Sequence, residues 1–225
     1  GELFEQEIEQ TYGGQVTLLN YDTNAQDLAT EVGQLNQAIA GFTGPDSQKA
    51  ALVVAFDADG REIFAEADLL TPLRDVQWFG AEGMKRGTFL DEPHFSFIER
   101  VDLTGFFASP AENAVMLAFE EAYIEKYPGR SPRDSPYSFY AFDSARMAML
   151  AVQAAGIYDG AAIASVLPSV AATYFGASGH KLMDENGDAA GADYVAWRAA
   201  MVDGAPGFEE FAVWRFATGQ LEIFP

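Results

Sequence analysis

The sequence predicts an α/β protein in which helices flank a parallel sheet, and three observations predict it. Two short apolar-rich runs, the unbroken ALVVAF (51–56) and VQWF (76–79), have the character of strands buried on both faces. Segments with apolar residues at three- and four-residue steps alternate with them, as parallel crossovers require. With 225 residues and 49% hydrophobic composition, the chain can bury one large core or two modest ones.

Phe4, Ile8 and Tyr12 recur at four-residue steps and run into Gly13-Gly14, which reads as a helix with a glycine stop. QVTLLNY (15–21) is rich in strand formers and reads as a short first strand. Asp22 to Asp27 offers N-cap residues, after which Leu28, Val32, Leu35 and Ile39 follow at helical spacing. A Gly/Pro/Asp/Ser turn leads into the run at 51–56. Arg61 to Leu70 reads as a short helix stopped by Pro72, and the run at 76–79 is the third strand.

After Thr104 the pattern turns helical. One helix from about 112 to 127 carries Val115, Phe119 and Tyr123 inward, and PGRSPRDSP (128–136) separates it from a second at about 138–155. Gly156 supplies the stop, and a shorter helix covers 160–167. The glycine-rich tail from Tyr174 carries candidate strands at YVAWR (194–198), EFAVWRF (210–216) and LEIF (221–224).

Charge narrows the partners. Against 34 Asp and Glu stand 13 Lys and Arg, a formal charge of −21. Such a surface repels phosphates, so nucleic acid and anionic membranes are excluded as main partners. With no cysteine there are no disulfides, thiolate metal sites or thiol nucleophiles. No apolar run approaches the roughly 20 residues of a membrane span, and GELFEQEIEQ has no signal-peptide character.

In parallel α/β sheets, ligands sit at the carboxyl ends of the strands. Asp57 follows the run at 51–56 and Glu82 follows the run at 76–79, so two acids fall at one rim. WFGAEG (78–83) sets its single charge between small residues that permit close backbone approach. The plain alternatives are a solvated turn for Glu82 and an ordinary helix-capping turn for FDADG (56–60). Two carboxylates in one cleft would also suffice for acid–base hydrolysis, which is the enzyme alternative.

Other chemistry is thin. His94 and His180 lie in loops without a neighbouring Ser or Cys motif. MDENGDAAG (183–191) places Asp184, Asn186 and Asp188 at calcium-loop positions one, three and five, but Ala189 and Val195 occupy positions six and twelve, where glycine and glutamate belong. A turn is the better reading. Trp78, Trp197 and Trp214 read as core or rim packing.

Several of these pieces, in this order, resemble one family. GGQVTLLNYDTNAQDLATEVGQL, ALVVAFDADG, VQWFGAEG and the late MDENGD before an aromatic-rich tail are similar to the second half of type I periplasmic solute-binding proteins of the branched-chain amino acid group. The resemblance implies two α/β lobes with a ligand enclosed between them. It implies that 1–107 and 176–225 form the second lobe and 108–175 the helical return segment of the first, the rest of which is absent.

It further implies a solute-binding component of an ABC importer, extracytoplasmic and without enzymatic activity or cofactor. Its partners would be an amino acid-like solute and the membrane permease complex. In amino acid-binding members a glutamate in the turn after a second-lobe strand accepts the ligand ammonium, and Glu82 stands at the matching position. Phe56, Asp57 and Ala58 in one rim loop and Ala81 in the other would touch ligand, with Asp57 a second anion favouring cationic solutes. Helices at 112–127 and 138–155 that lack their first-lobe sheet would either refold against the second lobe or self-associate through exposed apolar faces. A ligand-sensing domain of a receptor or regulator is the alternative within the same fold.

Overall fold

The computed structural model describes the chain apart from residues 1, 24, 26, 109–111, 135, 136, 190, 217 and 225. Parts of the expected capping segment at 22–27 and of the turn at 128–136 therefore lie outside the described residues. The chain divides into two compact units, Gly1–Phe107 with Ala196–Phe211, and Ala108–Val195 with Ala212–Phe224.

In the first unit, α1 (Glu2–Tyr12) ends at Gly13, whose φ of +66° is the left-handed turn that glycine adopts without a Cβ penalty. Helix α2 (Ala29–Gly41) buries Val32 and Ile39, with Leu28 at its N-cap also in the core. Strand β1 (Ala50–Val53) leads through Phe56 into α3 (Asp57–Ala67), and α4 (Thr71–Arg74) precedes β2 (Gln77–Gly80). Helix α5 (His94–Arg100) and β3 (Thr104–Ala108) follow.

The strand order is β1-β2-β3-β6-β7, where β6 spans Tyr194–Val202 and β7 spans Ala205–Arg215, and the first unit takes their residues from Ala196 to Phe211. β1 and β2 pair in parallel with Val53 opposite Gly80, and β2 pairs in parallel with β3 with Gly80 opposite Gly105. Its β1-β2-β3 part is the parallel α/β sheet flanked by helices that the apolar runs predict, but the expected burial on both faces is corrected: the residues of β1 alternate, Ala51 and Val53 buried and Leu52 45% exposed. Asp203 and Gly204, both at positive φ, form the two-residue turn between β6 and β7, a geometry that matches the twist of paired strands.

The core beneath the sheet is aromatic. Phe64 of α3 meets Trp78 of β2 edge-on at 5.9 Å and Phe89 at 5.3 Å, and Trp78 meets Phe97 of α5 at 5.5 Å. The Trp78 indole N–H donates to the Leu73 carbonyl at 2.8 Å, so the ring is buried with its one polar atom satisfied.

The second unit holds α6 (Ala114–Lys126), α7 (Tyr137–Ala155), α8 (Gly160–Thr173) and a short antiparallel pair, β4 (Phe175–Gly176) with β5 (Gly179–His180). The end of β7 pairs antiparallel with β8 (Gln220–Ile223), Ala212 opposite Ile223. Asn113 caps α6 by accepting from the Val115 and Met116 amides, Asp159 caps α8 by accepting from Ala162, and Gly156 at φ +66° ends α7. Phe119 of α6 lies 4.4 Å from Phe142 of α7, ring centroid to ring centroid.

Four local expectations are corrected. No strand forms over 15–21 among the described residues, because strand-forming side chains without a neighbouring backbone edge gain no ladder of hydrogen bonds. The helix expected at 61–70 begins four residues earlier, at Asp57, and Pro72 opens α4 rather than stopping α3. Helix α8 continues to Thr173 through Pro168, whose cost of about 3 kcal/mol is offset by packing that buries Ala171 with Met147 and Tyr174. Strand β3 and helix α5 were not legible as elements, since Gly105 dilutes one and Pro93 crowds the start of the other.

Candidate functional site

Because β1 and β2 are parallel neighbours in register, their carboxyl-terminal loops leave the sheet side by side. The Ala81 amide donates to the Val53 carbonyl at 3.1 Å, continuing the ladder past the strand end. Ala81 is extended, and Glu82 then opens a single 3-10 turn, Glu82–Met84, with its side chain exposed. Met84 drops into the core, fully buried.

Glycine makes this junction feasible. A Cβ on Gly83 would sit 3.0 Å from the Ala55 carbonyl oxygen and 3.8 Å from the Phe56 ring. A Cβ on Gly80 would sit 2.9 Å from that of Met84. The two rim loops thus touch through backbone, and Glu82 and Phe56 belong to the same rim.

Phe56 stands at the N-cap of α3 with an extended backbone and a side chain 72% exposed. Ala58 is exposed one residue into the helix, and Asp57 occupies its first position. Asp57 is already engaged: its carboxylate accepts the Thr88 hydroxyl and lies 3.7 Å from the Arg61 guanidinium. With Asp59 it places negative charge in the first turn, where the helix dipole favours it. Asp59 in turn accepts the Tyr21 hydroxyl at 3.2 Å, and burial together with that carboxylate raises the Tyr21 pKa.

Lys85 fixes the far end of the Glu82 turn. Its ammonium lies 2.6 Å from Glu210 on β7 and 4.1 Å from the centre of the Phe107 ring. Sequence reading passed over both Lys85 and Thr88, although a lysine beside the rim of a chain with four lysines was a signal in plain view.

The remaining sequence candidates fall into structural settings. Asp184 accepts from the Asn186 and Asp188 amides at 2.9 Å each, and Met183 bridges Ala189, so the MDENGD segment is a turn whose lead carboxylate is spent on backbone. No group of acidic or histidine side chains suited to a metal ion occurs among the described residues. His94 has a buried Nδ1 without a hydrogen-bond partner among the described residues, and burial lowers its pKa. His180 stands 4.8 Å edge-on to Phe175. Trp78 and Trp197 are core residues, and Trp214 is half-buried.

No protein-family model and no curated protein sequence matches the chain. Solved structures do match. The chain is similar to the leucine-binding protein LivK of Thermotoga maritima, with a TM-score of 0.62 and 23% identity over 91% of this chain and 53% of that one. It is similar to an ABC transporter substrate-binding protein of Desulfitobacterium hafniense, with a TM-score of 0.56 and 18% identity over 91% of this chain and 54% of that one.

A third match is the branched-chain amino acid transporter substrate-binding protein LivJ of Streptococcus pneumoniae in complex with isoleucine. Its TM-score is 0.51 at 18% identity, over 91% of this chain and 55% of that one. The chain spans about half the length of the solved structures it matches. At these identities the likeness shows the fold, that of type I periplasmic binding proteins.

Proposed function

We propose that this chain is part of an extracytoplasmic solute-binding protein of an ABC importer and that Glu82 receives the ammonium of an amino acid or related small amine or amide. The observation that carries the reading is the position of Glu82. It opens the turn at the carboxyl end of a parallel strand, on the fold of proteins whose solved structures hold leucine or isoleucine. Taking an ammonium out of water costs several kcal/mol unless an opposite charge and further acceptors replace its hydration. A carboxylate in a glycine-flanked turn meets that need.

In this reading Ala81, Phe56 and Ala58 line the solute beside Glu82, while Asp57 adds negative potential from its place between Thr88 and Arg61. Residues 1–107 with the tail strands serve as the second lobe, and 108–175 serves as the return segment of the first. The protein works with a membrane permease and does no chemistry on its solute. The exposed apolar side chains of α6 and α7, among them Leu117, Ile124 and Met149, are the surface for self-association.

Titration calorimetry with leucine, isoleucine, their amides and small diamines tests the assignment. Glu82→Gln removes the charge at nearly constant shape, so the affinity for the bound amine falls about thirtyfold or more, from a loss of about 2 kcal/mol or more, with the melting temperature unchanged. Equal affinity of the wild type and Glu82→Gln, or no binding of any amine or amide by the wild type, overturns it.

A further inference from the structure

The second unit contains a cavity of about 250 Å³ between α7 and the segment that follows β5. Its wall combines the hydroxyl-bearing residues Tyr140, Ser144 and Ser178 with the apolar residues Met147, Leu182 and Met183. Two charged residues also reach it, Lys181 and Asp193.

The two charges are not equivalent. Asp193 accepts the Arg215 guanidinium at 2.9 Å and the Phe216 amide at 3.0 Å, so its carboxylate is neutralised within the fold. Lys181 donates to the Ser178 carbonyl at 2.9 Å and lies over the Tyr140 ring, 4.9 Å from its centre. Both partners are neutral.

The carboxylate whose charge acts on Lys181 is Asp143, which is fully buried and already saturated. It accepts the Tyr174 hydroxyl, the Ala177 and Ser178 amides and the Ser178 hydroxyl. An ammonium carries three donors, and a half-buried one with only neutral partners leaves its charge poorly compensated. Burial accordingly pulls the Lys181 pKa below the ordinary lysine range, with the Asp143 charge opposing the shift.

From this arrangement we infer that the cavity is a second binding site, for a small aliphatic carboxylate. The ligand's carboxylate pairs with the Lys181 ammonium and takes a hydrogen bond from the Ser144 hydroxyl. Its alkyl end lies against Met147, Leu182 and Met183. The volume falls just below the roughly 300–1,000 Å³ of typical drug-sized sites, which suits a small guest. The polarity is opposite to that of the Glu82 rim, where a cation is received.

The test is ligand-observed NMR titration of the whole chain with butyrate, using butylamine, butan-1-ol and inorganic phosphate as controls. Butyrate binds at least tenfold more tightly than each control. Lys181→Met abolishes that binding, Lys181→Arg retains it, and Glu82→Gln leaves it unchanged. Ser144 is exposed at the cavity mouth, so Ser144→Phe fills the space without disturbing the core and also abolishes binding; it decides the matter if Lys181→Met does not fold.

Four results overturn the inference. They are no butyrate binding, binding undiminished in Lys181→Met or Ser144→Phe, phosphate binding as tightly, and displacement of butyrate in proportion to leucine occupancy. Loss of amine binding in Glu82→Gln with butyrate retained separates the failure of one site from failure of the other.

Discussion

Tyr174 donates its hydroxyl to Asp143 at 3.0 Å, with both side chains buried in the second unit. The phenol follows the last turn of α8, and the carboxylate projects from the middle of α7. Burial, then the Asp143 hydrogen bond and charge, push the Tyr174 pKa up to about 12.

That shift has a signed consequence. The folded chain holds the phenolic proton more tightly than the unfolded chain, whose tyrosines titrate near 10. The stabilisation is complete below pH 10 and is lost as pH rises toward 12. Urea denaturation across this range shows a declining midpoint for the wild type and a flatter profile for Tyr174→Phe, which has no proton to lose.

Asp143 organises more than Tyr174. Its two oxygens also hold the Ala177 and Ser178 amides, and a Cβ on Gly176 would collide with the carboxylate. Asp143→Ala leaves several buried donors unpaired at about 1–3 kcal/mol each. The expected loss is about 3 kcal/mol or more by chemical denaturation. Asp143→Asn, which supplies one acceptor in place of two, loses less.

In the first unit the tight contact is between backbone and ring. A Cβ on Gly105 of β3 would strike the Gly80 carbonyl oxygen and the Trp197 indole, which is itself fully buried. Neither neighbour has room to yield, so Gly105→Ala costs about 1–3 kcal/mol through overpacking. Thermal melts check the loss, and a smaller ring in the pair Gly105→Ala with Trp197→Phe recovers part of it.

Arg133 binds Glu120 through two bonds of 2.7 Å and Glu112 at 3.2 Å. The hydrogen bonds from Arg133 hold the Glu120 carboxyl below its usual range, against a smaller opposing effect of burial. A lowered carboxyl pKa stabilises the fold above the unfolded value near 4.3–4.5 and loses that contribution as pH falls through the folded one. Arg133→Gln therefore destabilises by about 1 kcal/mol or less at neutral pH, as expected for a partly exposed network, and the difference from wild type vanishes in acid.

Much of the fold was legible because it is written in short-range spacing. Leu28, Val32, Leu35 and Ile39 mark α2 at helical steps, Gly13 and Gly156 stop their helices, and the runs at 51–56 and 76–79 become β1 and β2. The rim itself followed from chain order, since Phe56 and Glu82 come within three residues of the ends of those two strands. The anchors of the rim did not. Thr88 reaches Asp57 across 31 positions and Lys85 reaches Glu210 across 125, and no local pattern encodes such pairs.

The sequence alone determined most of the helices, the strands β1 and β2, the acidic surface and the address of Glu82 at a strand end, because each depends on residues within a turn or two of one another. Tertiary structure alone decided that 15–21 forms no strand, that α8 runs through Pro168, and that Asp143 rather than any motif residue is the buried polar hub of its unit. A strand needs a partner's edge, a proline in a helix needs packing to offset its lost hydrogen bond, and a buried carboxylate needs donors drawn from distant segments. Each condition is met or missed only when the chain folds back upon itself.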